Sequence, residues 1–210
     1  DFDEGAVRAA MDEAGVEDWA EARHGKDIHS VIADALAGGA IVARVSGRME
    51  FGARALGNRS ILADPANPLV THEINQRIKN RDFWMPFAPV MMRARAGDYL
   101  ANPKELPSPY MMLAFEANGR HEEFIAAIHP AARTARAQLL EPGQSLGREA
   151  ILGHFGTATG RHVLLNTSYN LHGSPIASGP REALDTFRRS GLRCLALDSW
   201  WLRKKDGTQP

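Results

Sequence analysis

A mixed, twisted β-sheet flanked by helices within one α/β domain is the architecture this sequence predicts. Short, continuously apolar runs such as residues 40–45 alternate with amphipathic stretches such as Ile28–Ala37. Several apolar runs also follow one another with only a turn between them, which a purely parallel, doubly wound sheet does not produce. Finally, 210 residues that are 44% hydrophobic and 24% charged suffice for one sizeable core without disulfides or metals.

In chain order, Asp3 caps a surface helix over residues 4–14, and Gly15 ends it. Residues 17–25 are polar and read as a linker or a packed-on extension, which gives an N-terminal helix and linker over 1–24 and a main domain over 25–210. Asp27 caps a helix over Ile28–Ala37 whose Ile28, Val31, Ile32, Ala35 and Leu36 share one face. Gly38 and Gly39 stop it before the strand at 40–45. Residues 46–60 follow neither period. A short strand at 60–63 is closed by Asp64-Pro65, and Val70, Ile74 and Ile78 at spacing four predict a helix over 69–79. Strands are expected at 87–92, 110–116, 124–129 and 135–140, then a helix at 146–157 and a strand at 162–165. Pro180 opens a helix to residue 190, and strands at 192–197 and 199–202 close the domain.

Lys+Arg and Asp+Glu number 25 each, so the net charge is zero. A global basic field that would hold nucleic acid or an anionic membrane is therefore excluded, and any anion site must be local. No apolar run reaches the ~20 residues of a membrane span and no secretory leader opens the chain. A cytoplasmic protein is expected, and the initial Asp1 suggests a piece of a longer polypeptide. The single cysteine, Cys194, excludes an internal disulfide and lies in an apolar run that suits a buried, inert thiol. The eight histidines include no His-x-x-x-His pair, so no protein-bound transition metal is expected.

Four segments could carry chemistry. Residues 47–60 combine three glycines with Arg48, Arg54 and Arg59, a local cationic patch on a backbone free to turn tightly. This is either an anion-binding loop or a solvated loop paired with surface carboxylates; it is not a Walker loop. Arg77, Lys79 and Arg81 form a second cluster, which either meets an anion or only complements a helix C-terminus. Asn166-Thr167-Ser168-Tyr169-Asn170 follows a strand, where open α/β sheets place ligands, although Asn and Ser there also cap turns. Arg133, Thr134 and Arg136 offer a third wall, or a charged strand edge.

Taken in order, these segments resemble the carbamoyltransferase family of the NodU/CmcH type, specifically its C-terminal, YrdC-like domain. The resemblance is carried by Glu50 through Leu62, by Asn75 through Lys79 with Arg81 and Pro86-Phe87-Ala88-Pro89, by Ser108-Pro109-Tyr110-Met111, by Thr134 through Gln138, and by Leu164 through Asn170. It spans residues 27 to 204. The relatives' pattern has arginine where Met85 stands here, and an aspartate absent from the longer segment before Arg136.

The resemblance implies a YrdC-like single domain that binds ATP and carbamoyl phosphate and forms carbamoyladenylate, with Mg2+ as helper. A preceding kinase-like, metal-binding domain of the same polypeptide would pass the carbamoyl group to an acceptor hydroxyl. Lys79, Arg136 and Ser168 would be catalytic. Arg54, Arg59, Ser60, Arg81, Asn166, Thr167 and Asn170 would bind the nucleotide and phosphate groups. Two further expectations compete: a nucleotide- or RNA-binding module, which zero net charge disfavours, and a structural interaction domain.

Overall fold

The computed structural model describes residues 1–25, 27–80 and 85–207. Helix α1 (Glu4–Glu13) begins at Asp3, whose carboxylate accepts the Ala6 N–H at 2.8 Å. The turn α2 (Val16–Trp19) leads into β1 (Ala20–His24). Helix α3 (Ile28–Ala37) is capped in the same way by Asp27. There follow β2 (Val42–Val45), β3 (Arg59–Ala63), α4 (Val70–Ile74), β4 (Ala88–Met92), β5 (Leu100–Ala101), β6 (Phe115–Ala117), β7 (Thr134–Ala135) and β8 (Gln138–Leu140). The chain ends with α5 (Leu146–Thr159), β9 (Val163–Ser168), α6 (Pro180–Arg189), β10 (Cys194–Leu197) and β11 (Trp200–Lys204).

Eight strands form one mixed sheet in the order β1-β11-β10-β2-β3-β9-β4-β8, with β5-β6-β7 as a second, small sheet. In the large sheet β10/β2 and β4/β8 are parallel and the remaining pairs antiparallel, so the expected mixed α/β architecture is present. Strands β2, β3 and β10 are buried along their whole length because both sheet faces are covered. Val7 of α1, Ile74 of α4 and Leu184 of α6 close over Ile61, Leu165 and Leu195 on one face. Ile32 of α3 and Ile151 of α5 close over Val42, Leu62 and Leu164 on the other. The small sheet packs on a third cluster around Tyr99, Phe124 and Leu139. Cys194 is buried, and burial raises its thiol pKa, in line with an inert role. Among the described residues no helix is long and apolar enough to cross a membrane.

Several elements differ from the sequence-based expectation. Residues 17–24 pack on rather than link: β1 pairs with β11 from Ala20↔Lys204 to His24↔Trp200. The first 24 residues thus share the sheet and core of the rest. The run 110–116 is a strand only at Phe115–Ala117, since Met111 takes a left-handed φ of 55° that ends extension before it. Residues 124–129 lie largely in 3-10 turns (His121–Ala127) instead of a strand; so short an apolar run does not distinguish the two. The run 135–140 is divided between two sheets, β7 pairing with β6 and β8 with β4. The helix expected over 69–79 loosens into a π-turn (Asn75–Lys79) and stops at Asn80, φ 43°. Strand β9 continues to Ser168, with Asn166 opposite Leu62 and Ser168 opposite Ser60 of β3.

Candidate functional site

The glycine- and arginine-rich loop between β2 and β3 is fixed from inside. Glu50 Oε1 accepts the backbone N–H groups of Leu56 and Asn58 at 2.7 Å and of Arg59 at 3.3 Å. One carboxylate thereby gathers three amides that a tight turn would otherwise leave unpaired. Arg44 donates to Gly57 O at 2.5 Å and Asn58 Oδ1 at 3.2 Å, and Arg148 of α5 donates to Leu56 O. Burial pulls the pKa of Arg44 down to about 10, with Arg148 nearby as the next cause, and burial likewise brings Arg148 to about 10.

Arg59 belongs to this scaffold, which corrects its expected role in holding phosphate. It is 1% exposed. Its guanidinium donates to the carbonyls of Ser46 (2.9 Å), Gly47 (3.0 Å), Asn58 (2.8 Å) and, twice, Ser178 (2.9 and 3.0 Å). Those bonds use every N–H group the fork offers. Ser60, next along β3, is wholly buried and does not line the cleft either.

The loop apex does line a cleft. Ala53, Arg54 and Ala55 face Pro86, Phe87 and Ala88, Met111, Arg136, and the end of β9 at Asn166, Thr167 and Ser168, around a small open cleft. A wider outer compartment shares Arg54, Pro86, Phe87 and Arg136 and adds Met85, Ala114, His129, Thr134 and His172. Among the described residues neither lining contains a carboxylate. The Arg136 pKa is lowered first by burial and then by the positive charge of Arg54. Among the described residues neither arginine has an ion-pair partner and no carboxylate lines the cleft between them, so the two repel.

Behind Ser168 lies Lys79, 1% exposed. Its ammonium donates to Asn170 Oδ1 at 2.7 Å and to Ser168 Oγ at 3.0 Å. The Asn170 amide nitrogen donates to Leu171 O and Ser174 O, both at 2.9 Å, which fixes Oδ1 toward the lysine. Ser168 Oγ donates to that same Oδ1 at 2.7 Å. His172 Nδ1 lies 2.9 Å from Lys79 O; a carbonyl only accepts, so this nitrogen carries the proton. Asn166 is held by Nδ2 donating to Ala55 O at 3.0 Å and to Gln138 Oε1 at 3.5 Å.

Of the residues singled out from the sequence, Arg54, Arg136, Asn166, Thr167 and Ser168 meet at the cleft, and Lys79 and Asn170 reach it through Ser168. Arg59 and Ser60 stand in the scaffold, and Arg81 lies outside the described residues. Sequence reasoning missed Glu50, Arg44, Arg148, Gln138 and His172. Glu50 sat inside the quoted loop, but its role depends on a turn whose shape sequence does not reveal. Arg148 carried no signal, being one arginine in an ordinary helix. Among the described residues no group of three or more acidic, histidine or cysteine side chains could hold a metal ion.

Comparison with known proteins gives a consistent picture. Residues 33–204 match the family model for the carbamoyltransferase C-terminus. The nodulation protein NolO of Bradyrhizobium diazoefficiens is 34% identical over 184 residues, covering 85% of this chain and 33% of that protein. The 3'-hydroxymethylcephem-O-carbamoyltransferase of Amycolatopsis lactamdurans is 29% identical over 179 residues, covering 85% of this chain and 34% of that protein. The chain therefore spans about a third of the length of these curated relatives. Among solved structures, full-length HypF in its phosphate- and nucleotide-bound form superposes with a TM-score of 0.55 at 17% identity, over 89% of this chain and 22% of HypF. Escherichia coli YciO superposes with a TM-score of 0.56 at 13% identity, over 82% and 78% of the two chains. At such identities these two establish the YrdC-like fold.

Proposed function

The chain belongs to the carbamoyltransferase family, to its C-terminal domain, and from that premise we propose that it activates carbamoyl groups: it binds carbamoyl phosphate and ATP and forms carbamoyladenylate. The observation that carries this reading is the pairing of Arg54 and Arg136 across a cleft into which the described residues bring no carboxylate. Two guanidiniums held together against their repulsion favour a polyanion between them, and their planar forks suit phosphate oxygens. Lys79 is tied to the inner end of the same cleft through Ser168. The Thr167 hydroxyl, which makes no hydrogen bond among the described residues, has a proton to give a phosphate oxygen.

In this reading carbamoyl phosphate and water give carbamate and inorganic phosphate. A carbamate oxygen then attacks the α-phosphorus of ATP, and the bond to pyrophosphate breaks. Carbamate does not survive long in water, so both steps belong in one cleft, with fixed cations stabilising the charge that develops. Magnesium, which such a reaction is expected to use, finds no carboxylate among the described residues of the cleft lining. The described residues supply no cage for it, and no step is assigned to it. Transfer to an acceptor hydroxyl would fall to a kinase-like domain in the remainder of a longer polypeptide, acting in the cytoplasm.

Titration calorimetry with ATP and with carbamoyl phosphate tests the reading, alongside carbamoyl-phosphate-dependent release of pyrophosphate. Absence of binding by either ligand refutes it.

A further inference from the structure

The large sheet ends at β1, on the side remote from β9 and β4, which carry the cleft. Among the described residues β1 pairs on one side only, with β11. Ala20 is buried, but Glu21, Ala22, Arg23 and His24 are all exposed. At the other end of the sheet β8 is covered, since Leu139 N donates to Ser108 O at 2.9 Å and the Ser108 hydroxyl to Ala137 O at 2.8 Å. A bare edge such as β1 is a template for another strand.

The flanking bonds show which backbone groups are free. Lys205 N donates to Trp19 O at 3.0 Å and Gly25 N to Ser199 O at 3.1 Å. Odd-numbered positions of β1 thus aim their amides and carbonyls at β11, and alternation turns those of Ala20, Ala22 and His24 outward. The Ala20 amide donates to Val16 O at the end of α2. Its carbonyl and both groups of Ala22 and His24 face away from β11. Glu21 and Arg23 share one face of the strand, with side chains 58% and 79% exposed, and approach each other only to 3.4 Å.

An antiparallel copy of β1 fits this edge in few registers, because outward-facing positions must oppose outward-facing positions. A two-fold axis through Glu21 sets glutamate against glutamate, and one through Arg23 sets arginine against arginine. Like charges directly opposite are destabilising. An axis through Ala20 or His24 uses only part of the strand. An axis through Ala22 uses all of it. The two Ala22 residues then exchange bonds, His24 of each copy donates to Ala20 O of the other, and each Glu21 faces Arg23 of the other copy. Arg203 lies across from Glu21 on β11, so the row alternates in sign: Arg203, Glu21, then Arg23 of the second copy.

We propose that β1 is a self-recognition edge, through which two copies of this chain join antiparallel about Ala22 and continue the large sheet from one into the other. The contact is isologous and closes at two copies, because each β1 is used up. So small a strand-to-strand contact makes a weak, concentration-dependent dimer. The cleft lies elsewhere in the sheet, so this association is independent of carbamoyl activation.

Sedimentation equilibrium of the intact chain, from micromolar to millimolar concentration, should show a monomer–dimer equilibrium that weakens with salt. Glu21→Arg makes both facing positions cationic and Arg23→Glu makes both anionic. Each variant alone should dissociate at least about tenfold more readily. An equimolar mixture of the two should form a heterodimer comparable to the unmodified dimer, and the double variant should regain self-association. Both side chains are largely exposed, so these changes leave folding intact. Ala22→Pro removes an outward N–H without touching the ladder to β11, and should also abolish the dimer. A chain that stays monomeric throughout overturns the proposal. A dimer that the single charge variants leave unchanged overturns it too, by placing the contact on another surface, as does failure of their mixture to associate.

Discussion

Lys79 Nζ lies 3.0 Å from Ser168 Oγ, joining residues 89 positions apart in the chain. The contact places a buried positive charge directly behind the end of β9, and it depends on two local features. The π-turn (Asn75–Lys79) brings the lysine to the end of its helix, and Asn80 at φ 43° turns the chain away. Strand β9 extends as far as Ser168. The lysine is thereby joined to the end of β9 without lining the cleft.

Lys79→Met keeps the length of the side chain and removes its charge. Catalysed release of pyrophosphate should fall by about 10- to 100-fold, because the two buried charge-assisted hydrogen bonds that hold Ser168 and Asn170 are lost. Lys79→Arg should not restore it, because a planar fork cannot point two bonds at Asn170 Oδ1 and Ser168 Oγ as a compact ammonium does. Single-turnover assays of the three proteins measure this.

Arg54 and Arg59 are five positions apart in one motif yet should fail in opposite ways. Arg54 is exposed at the cleft, so Arg54→Ala should abolish most ligand binding and leave the denaturation midpoint within experimental error. Arg59→Ala removes the donors of five carbonyl bonds at a buried site, and should cost roughly 3–5 kcal/mol of stability. Urea denaturation combined with calorimetry separates the two. If both variants fold normally and both lose binding, Arg59 returns to the site.

That contrast marks the limit of what the sequence made legible. Arginines at 54 and 59 look alike in a string of residues, and only the turn held by Glu50 sends one outward and the other inward. The fold class and helix α3 were readable because Ile28, Ile32 and Leu36 repeat at a helical period over a buried face. Segment 110–140 was misread because its runs are too short for period to decide, and because Met111 breaks a pattern that β-propensity alone favours. Three long-range meetings built the cleft: loop apex to strand end, Lys79 to Ser168, and Gln138 to Asn166. None of them leaves a trace in local sequence.

Acid should loosen the scaffold through Glu182. Its carboxylate accepts the N–H groups of Ser178 at 2.8 Å and Gly179 at 3.0 Å, and it also accepts the Ser178 hydroxyl. These bonds, the Ser178 hydroxyl first, hold its pKa below the ordinary glutamate value. The folded state thus binds fewer protons here than the unfolded chain, and stability rises with pH across that interval. The contribution is present above the usual glutamate pKa of about 4.3 and is lost as pH falls through the depressed folded value. Because Ser178 O also receives Arg59, losing this cap should free the loop as well. Denaturation midpoints of the intact protein and of Glu182→Gln between pH 7 and pH 3 should converge on acidification; parallel curves would exclude the carboxylate as the cause.

Gly57 is the position at which the loop tolerates least. Its φ of 115° lies where side chains are rarely accommodated, and a Cβ there would stand 2.1 Å from Arg148 Cδ. That arginine cannot withdraw freely, since it donates to Leu56 O and is 9% exposed. Gly57→Ala must therefore either unseat Arg148 or straighten the turn, at a cost of about 2–4 kcal/mol. Straightening would move Ala55 and Leu56, whose carbonyls orient Asn166 and Gln138. Carbamoyl phosphate affinity should consequently fall even though residue 57 does not line the ligand cleft. Hydrogen exchange over residues 54–59, read with urea denaturation, distinguishes a loosened loop from global unfolding. Unchanged exchange in a destabilised protein would assign the whole effect to Arg148.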